Sequence, residues 1–241
     1  MHSICFSFVR RSAKIFSYGH VAGECCFSSS PMKKKIHLPT NDRAIRLVVR
    51  AKLQEDLDRE NLHCPHVKII EELGVTHGAA RVDLAVVNGV IHGYELKSDL
   101  DTLDRLPGQA KIYNLVFDRV TLVVGKSHLS RAIELVPDWW GITVAKASGY
   151  NQEVSLYEIR EAQENRTQDD KSIAALLWRE EALGILEELG EAKGVRSKSR
   201  QAVYERLVTV LDKTTLREKV RKQLCVRTDW RSDRQYSLSD G

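Results

Sequence analysis

Asp83 and the pair Glu95 and Lys97, two positions apart in Glu95-Leu96-Lys97, have the types and spacing to do chemistry. Carboxylates hold hard divalent cations such as Mg²⁺ or Mn²⁺ through oxygen. Such a cation polarises a phosphate and acidifies a bound water, and a nearby lysine orients that water or stabilises developing charge. This is equipment for metal-assisted phosphodiester hydrolysis. The triplet alone is weak, since Glu-x-Lys arises about once by chance in a chain of this size. Glu191-Ala-Lys193 is a second copy, in polar sequence before Gly194 that reads as a solvated helix end. The copy at 95–97 closes an otherwise apolar run, and residues two apart in a strand share a face.

Strands must position these groups. Arg81–Val87 alternates and is β-branched, Asn88-Gly89 is the strongest short hairpin signal, and Val90–Lys97 returns as the second strand. A strict two-residue turn pairs Val87 with Val90 and sets Asp83 opposite Tyr94. Asp83 and Glu95 then point to opposite faces. A shared metal requires one extra residue to be absorbed before Glu95, and the expected place is a bulge at His92–Gly93.

Around the hairpin, apolar spacing at Ile45, Val48, Val49, Leu53 and Leu57 predicts a helix capped by Asn41 or Asp42, and Val67–Leu73 reads as a strand or strand edge. A short helix follows Pro107, then a buried strand at Val120–Val124, a helix at Ser130–Val136, and strands at Ile142–Ala145 and Ser155–Ile159. From about Thr167 the pattern is helical only, with capping boxes expected at Thr167-x-x-Asp170 and Thr215-x-x-Glu218. The fold class expected is α/β: a mixed sheet flanked by helices over residues 41–160, then a helical, basic region over 161–241. Residues 1–40 read as a disordered leader or an over-extended start, since Met32 opens a more conventional beginning.

The order Glu, Asp, Glu-x-Lys on strand elements between helices resembles the PD-(D/E)XK nuclease superfamily. Two segments are also similar to an uncharacterised bacterial family within it: the one running from EELGVTHGAARVDLAVV to VTLVVG, and PDWWGI. They lie within the stretch from Val67 to Ile142, about a third of the chain. The resemblance implies a restriction-endonuclease-like fold. It makes Asp83, Glu95 and the Leu96 carbonyl ligands of Mg²⁺ or Mn²⁺, and Lys97 the catalytic lysine. It makes Glu72 the upstream acid, with Glu71 as its competitor, and it turns Gln109 and Tyr113 toward the site. Val82 stands where the signature has proline, and the upstream acid falls in a strand-like run where the superfamily usually has a helix.

Charge divides the 241-residue chain sharply. Residues 1–40 carry six basic side chains and one acid, 41–192 carry 18 basic and 26 acidic, and 193–234 carry 13 basic and 5 acidic. A surface coating nucleic acid along its whole length does not look like this. The basic tail, with Arg217, Arg221 and Lys222 foremost, would clamp a phosphate backbone while the acidic middle holds metal; a solvated basic face packed on the acidic domain explains it equally well. No run approaches 18 apolar residues, so no membrane partner is expected. Five scattered cysteines without a CxxC pair fit a reducing, cytoplasmic setting.

Other residues carry blander readings. His63-Cys64-Pro65-His66 with His77 is short of a well-spaced zinc set. His92 and Trp139-Trp140 are expected to pack, and Asp99, Asp101 and Asp104 to cap or solvate. The expected function is metal-dependent hydrolysis of nucleic acid, DNA first, with a homodimer compatible. The alternatives are a catalytically silent nucleic-acid-binding or regulatory module and a protein-interaction module on the same fold.

Overall fold

The computed structural model describes residues 38–60, 67–148 and 153–228. The leader and the His63–His66 cluster therefore lie outside the described residues. Helix α1 (Asp42–Glu60) precedes strands β1 (Lys68–Val75), β2 (Ala80–Val87) and β3 (Ile91–Lys97). Helix α2 (Leu106–Tyr113), β4 (Arg119–Gly125), α3 (Leu129–Leu135), β5 (Gly141–Ser148) and β6 (Glu153–Arg160) follow, and helices α4 (Asp170–Ala174), α5 (Arg179–Glu188), α6 (Arg200–Val210) and α7 (Lys213–Val226) complete the chain.

The six strands form one mixed sheet in sequence order, antiparallel from β1 to β3, parallel from β3 to β5, and antiparallel again at β6. Its faces are covered differently. The apolar stripe of α1 packs Ile45, Val49, Leu53 and Leu57 on Leu84, Leu96 and Val123. The larger cluster joins the opposite face to α2, α3 and all four C-terminal helices, from Val82 and Leu122 to Leu186, Leu207 and Val220. Strand β4 is buried on both sides, which its continuous apolar run requires. No helix among the described residues is long and apolar enough to cross a membrane.

Details differ from the sequence expectation in two places. Val87 pairs with Ile91, so the hairpin loop holds three residues, Asn88 to Val90. The extra residue is absorbed in the turn, and the ladder runs regularly through His92 and Gly93, without the expected bulge. A bulge at Gly93 has no need to form once the turn supplies the offset; Gly93 instead leaves room for the Phe117 ring, which a Cβ would meet at 3.2 Å. The helix caps also move. Asp169 accepts from Ser172 N at 2.8 Å, and Asp212 accepts from Thr214 N and Thr215 N at 3.0 Å. Asp169 caps two residues after the expected Thr167, and Asp212 caps three residues before the expected Thr215, so α7 starts earlier in the chain.

Candidate active site

The three-residue loop has a direct consequence for the carboxylates. Continuing the β2–β3 register past Leu84 and Tyr94 brings Asp83 opposite Glu95. At that level β3 leaves β2 while still pairing with β4 through Lys97. Asp83 bridges the fork, accepting the Leu96 N–H at 2.8 Å on Oδ2 and the Arg46 guanidinium at 2.7 Å on Oδ1. The same level is irregular in both strands. Glu72 has φ +55°, and Ile70 and Leu73, like Val82 and Ala85, pack in one cluster although strict alternation would separate them. This local twist lifts Glu72 and Asp83 out of the core.

Glu95 is only 1% exposed and Lys97 6%. Glu95 Oε1 accepts from the Lys97 ammonium and, at 2.7 Å, from Gln109 Nε2; Oε2 meets the Tyr113 hydroxyl at 2.8 Å. Gln109 and Tyr113 do this together because they lie one turn apart on α2. Burial pushes the Glu95 carboxyl above its ordinary pKa, the Asp83 charge adds to the rise, and Lys97 opposes both. Tyr113 is likewise raised, by burial and then by Glu95. Gln109 Oε1 is buried without a hydrogen-bond partner.

Arg46 is the residue that the sequence reading missed. It sits on α1 within 2.9 Å of Glu72, 2.7 Å of Asp83 and 3.5 Å of Asp42. Burial works against its charge, but the three carboxylates outweigh that and hold its pKa above the ordinary value. Its only sequence signal is the i, i+4 spacing from Asp42. Glu72 also pairs with Arg81, whereas Glu71 pairs with Arg50 at 2.7 Å. Among the described residues no group of three or more His, Cys, Asp or Glu side chains gathers as a metal cluster.

These groups line a cleft of about 1170 Å³ that runs from Arg46, Glu72 and Asp83 past Glu95 and Lys97 to Trp178, Arg200 and Tyr204 on the C-terminal side. The basic tail does fold beside the acidic strands, but not through the residues expected. Arg217 lies 3.9 Å from Asp170, and neither it nor Arg221 nor Lys222 lines the cleft. Helical phase decides this: Leu216, Val220 and Leu224 face the core, and the charges between them face elsewhere. Arg227 does line the cleft yet is buried, clamped to Glu181 Oε1 at 2.7 Å and to the Leu176 carbonyl at 3.0 Å.

The remaining candidates are structural. His92 bonds Thr121 at 2.9 Å and stacks on Tyr94, and burial, followed by Arg119, lowers its pKa to about 3. Trp140 is fully buried and donates to Asn114 at 2.9 Å. Asp99 ties Thr40 to Ser127, and these bonds overcome burial to hold its carboxyl at about 2. Asp101 caps Ser98 N at 2.7 Å.

Fold and site together define an α/β protein whose mixed sheet presents a buried Glu–Lys pair and a forked-strand aspartate at the floor of one cleft. The chain belongs to the family described as bacteriophage P4 protein cII, whose model matches residues 42–237. Protein cII of Enterobacteria phage P4 is 39% identical over 74 residues, which are 31% of this chain and 28% of that protein. The match thus spans well under two thirds of that relative. A solved protein of unknown function from Silicibacter pomeroyi is 20% identical, covering 59% of this chain and 89% of its own at a TM-score of 0.33.

Proposed function

We propose that the protein is a metal-dependent nuclease of PD-(D/E)XK type that hydrolyses nucleic-acid phosphodiester bonds. The observation that carries this reading is the convergence of Asp83, Glu95 and Lys97 on one cleft, with the Glu95–Lys97 pair buried. A buried ion pair is costly to desolvate and weak as a source of stability, so its retention favours a chemical role.

The donor set fits a hard cation. Asp83, Glu95 and the Leu96 carbonyl are all oxygen ligands, and the unpartnered Gln109 Oε1 adds an acceptor beside them. These residues would hold Mg²⁺ or Mn²⁺, which supplies phosphate polarisation and an acidified water. Gln109 and Tyr113 orient the Glu95 carboxylate from α2. Lys97, once Glu95 is engaged elsewhere, offers its ammonium to the charge that develops on phosphate. Arg46 balances the charges of Asp83 and Glu72.

The same ion pairs favour a second reading, a nucleic-acid-binding module without turnover, since each site carboxylate already has a cation of the chain as its partner. Cleavage gels with plasmid DNA, single-stranded DNA and RNA in Mg²⁺, Mn²⁺ or EDTA separate the two. Metal-dependent cleavage that Asp83→Asn and Lys97→Met abolish, in variants that still melt cooperatively, supports the nuclease. Undiminished cleavage by both variants would refute the assignment, and binding without cleavage in any metal would select the second reading.

A further inference from the structure

Two aromatic rings line the cleft on the side facing away from α1, and the proposed chemistry uses neither. Trp178, just ahead of α5, is 45% exposed although it is among the largest apolar side chains. One face of its indole is covered by the Arg227 guanidinium, 4.4 Å from the ring centroid. His77 sits in a tight turn with φ +58°, exposed, with one ring face stacked on Tyr204 at 5.6 Å and 14° between planes. Tyr204 is itself anchored through its hydroxyl to the Leu177 carbonyl at 2.7 Å. Each ring is thus braced from behind and presented to the cleft, where a free amphipathic side chain would have folded back onto the surface.

Arginines share the cleft wall with acidic side chains, Asp104 and Glu180 among them. Arg105 and Arg200 are exposed, line the same cleft and make no ion pair among the described residues. Burial, and then the nearby Arg200, lowers the His77 pKa below its ordinary value, which favours the uncharged imidazole. Braced rings and unpaired arginines in one cleft are the composition of a surface that tracks an unpaired strand: bases stack on the rings and phosphates face the guanidinium groups. A duplex buries its base faces and offers such rings nothing. The cleft is also larger than the pocket a single small ligand fills.

We infer that the cleft binds single-stranded nucleic acid, with Trp178 and His77 as base-stacking platforms and Arg105 and Arg200 as phosphate contacts. The inference rests on the nuclease reading only in that the bound strand leads to Glu95 and Lys97; binding itself needs neither metal nor turnover.

The test is fluorescence anisotropy with the full chain at low salt in EDTA. The probe is a fluorescein-labelled oligonucleotide of about 12 nucleotides, within the ~4–16 that one groove covers, as single-stranded DNA, as RNA and as DNA duplex. The expected result is tighter binding of the single strand than of the duplex. Trp178→Ala and His77→Ala should each weaken it at least about five-fold, the loss of one stacked base. Trp178→Phe keeps a ring over Arg227 and should retain most of the affinity, which separates stacking from a folding defect; Arg200→Ala should weaken binding and flatten its salt dependence. Equal or tighter duplex binding, wild-type affinity in both alanine variants, or no binding at low salt would overturn the inference. Because EDTA excludes metal-dependent cleavage from the measurement, a protein that binds but never cuts would refute the nuclease and leave this inference standing.

Discussion

Replacing Lys97 by methionine keeps an unbranched stem of similar volume and removes the ammonium, so its effect is almost wholly electrostatic. Glu95 then keeps Gln109 and Tyr113 but loses the cation bonded to it. Two routes are open. A carboxylate left charged and unpaired in that setting costs about 3–5 kcal/mol. A carboxyl that takes up a proton costs, against an unfolded chain with the ordinary glutamate value of 4.5, about 3.4 kcal/mol at pH 7 and about 0.7 kcal/mol at pH 5. The proton route sets the ceiling. Glu95 is a group whose folded pKa lies above its unfolded value, so the stability its neutral form allows is complete below pH 4.5 and is lost as pH rises. The wild type shares that direction because burial and Asp83 outweigh Lys97, and the informative quantity is therefore the difference between the two proteins. Urea unfolding in EDTA at pH 5, 6 and 7 should show Lys97→Met destabilised by up to about 3.4 kcal/mol at pH 7, the difference shrinking toward pH 5 by at most about 1.4 kcal/mol per unit. Adding Glu95→Gln should restore most of the loss at pH 7, since no charge then remains in the pocket. A difference independent of pH, or a double variant no more stable than the single one, would refute the reasoning.

Two further perturbations probe the frame. His92 has its pKa lowered to about 3 by burial, so between pH 6.5 and 3 the unfolded chain binds the extra proton and stability falls as the solution is acidified; His92→Gln should lessen that acid sensitivity in urea midpoints taken from pH 7 to 4. A Cβ on Gly125 would sit 2.5 Å from the Asp99 backbone nitrogen, so Gly125→Ala should cost at least about 3 kcal/mol, while Gly93→Ala, which meets only the Phe117 ring edge, should cost about 1–2 kcal/mol. Thermal melts of the two variants should rank in that order, and the reverse order would show that the Asp99 turn yields more easily than its bonds suggest.

The elements that carry local patterning were legible in the sequence. The stripe Ile45, Val49, Leu53, Leu57 made α1, the run at Val120–Val124 made a strand buried on both faces, and Pro107 fell in the first turn of α2. Capping was less legible, because carboxylates close to the expected threonines, Asp169 and Asp212, take the first free backbone N–H groups of the helices instead, at Ser172, Thr214 and Thr215. Which basic side chains line the cleft was not legible, because composition counts charges without phase: α7 turns Arg217, Arg221 and Lys222 away from the cleft while Arg200, on α6, lines it.

By itself, the sequence determined that Glu95 and Lys97 share a face, that a hairpin joins them to Asp83, and that Gln109 and Tyr113 stand one turn apart, since backbone periodicity alone dictates these relations. Only the tertiary structure decided that they meet. A single residue in the turn, Val90, moves Asp83 from the wrong face to a place opposite Glu95, and no local propensity distinguishes a two-residue from a three-residue loop around Asn88-Gly89 strongly enough to choose. Burial of the ion pair, the Arg46 bridge and the braced rings of Trp178 and His77 depend on contacts between segments far apart in the chain. Those contacts form because two apolar clusters pack α1 on one face of the sheet and the C-terminal helices on the other, and the cleft is the space that this packing leaves open.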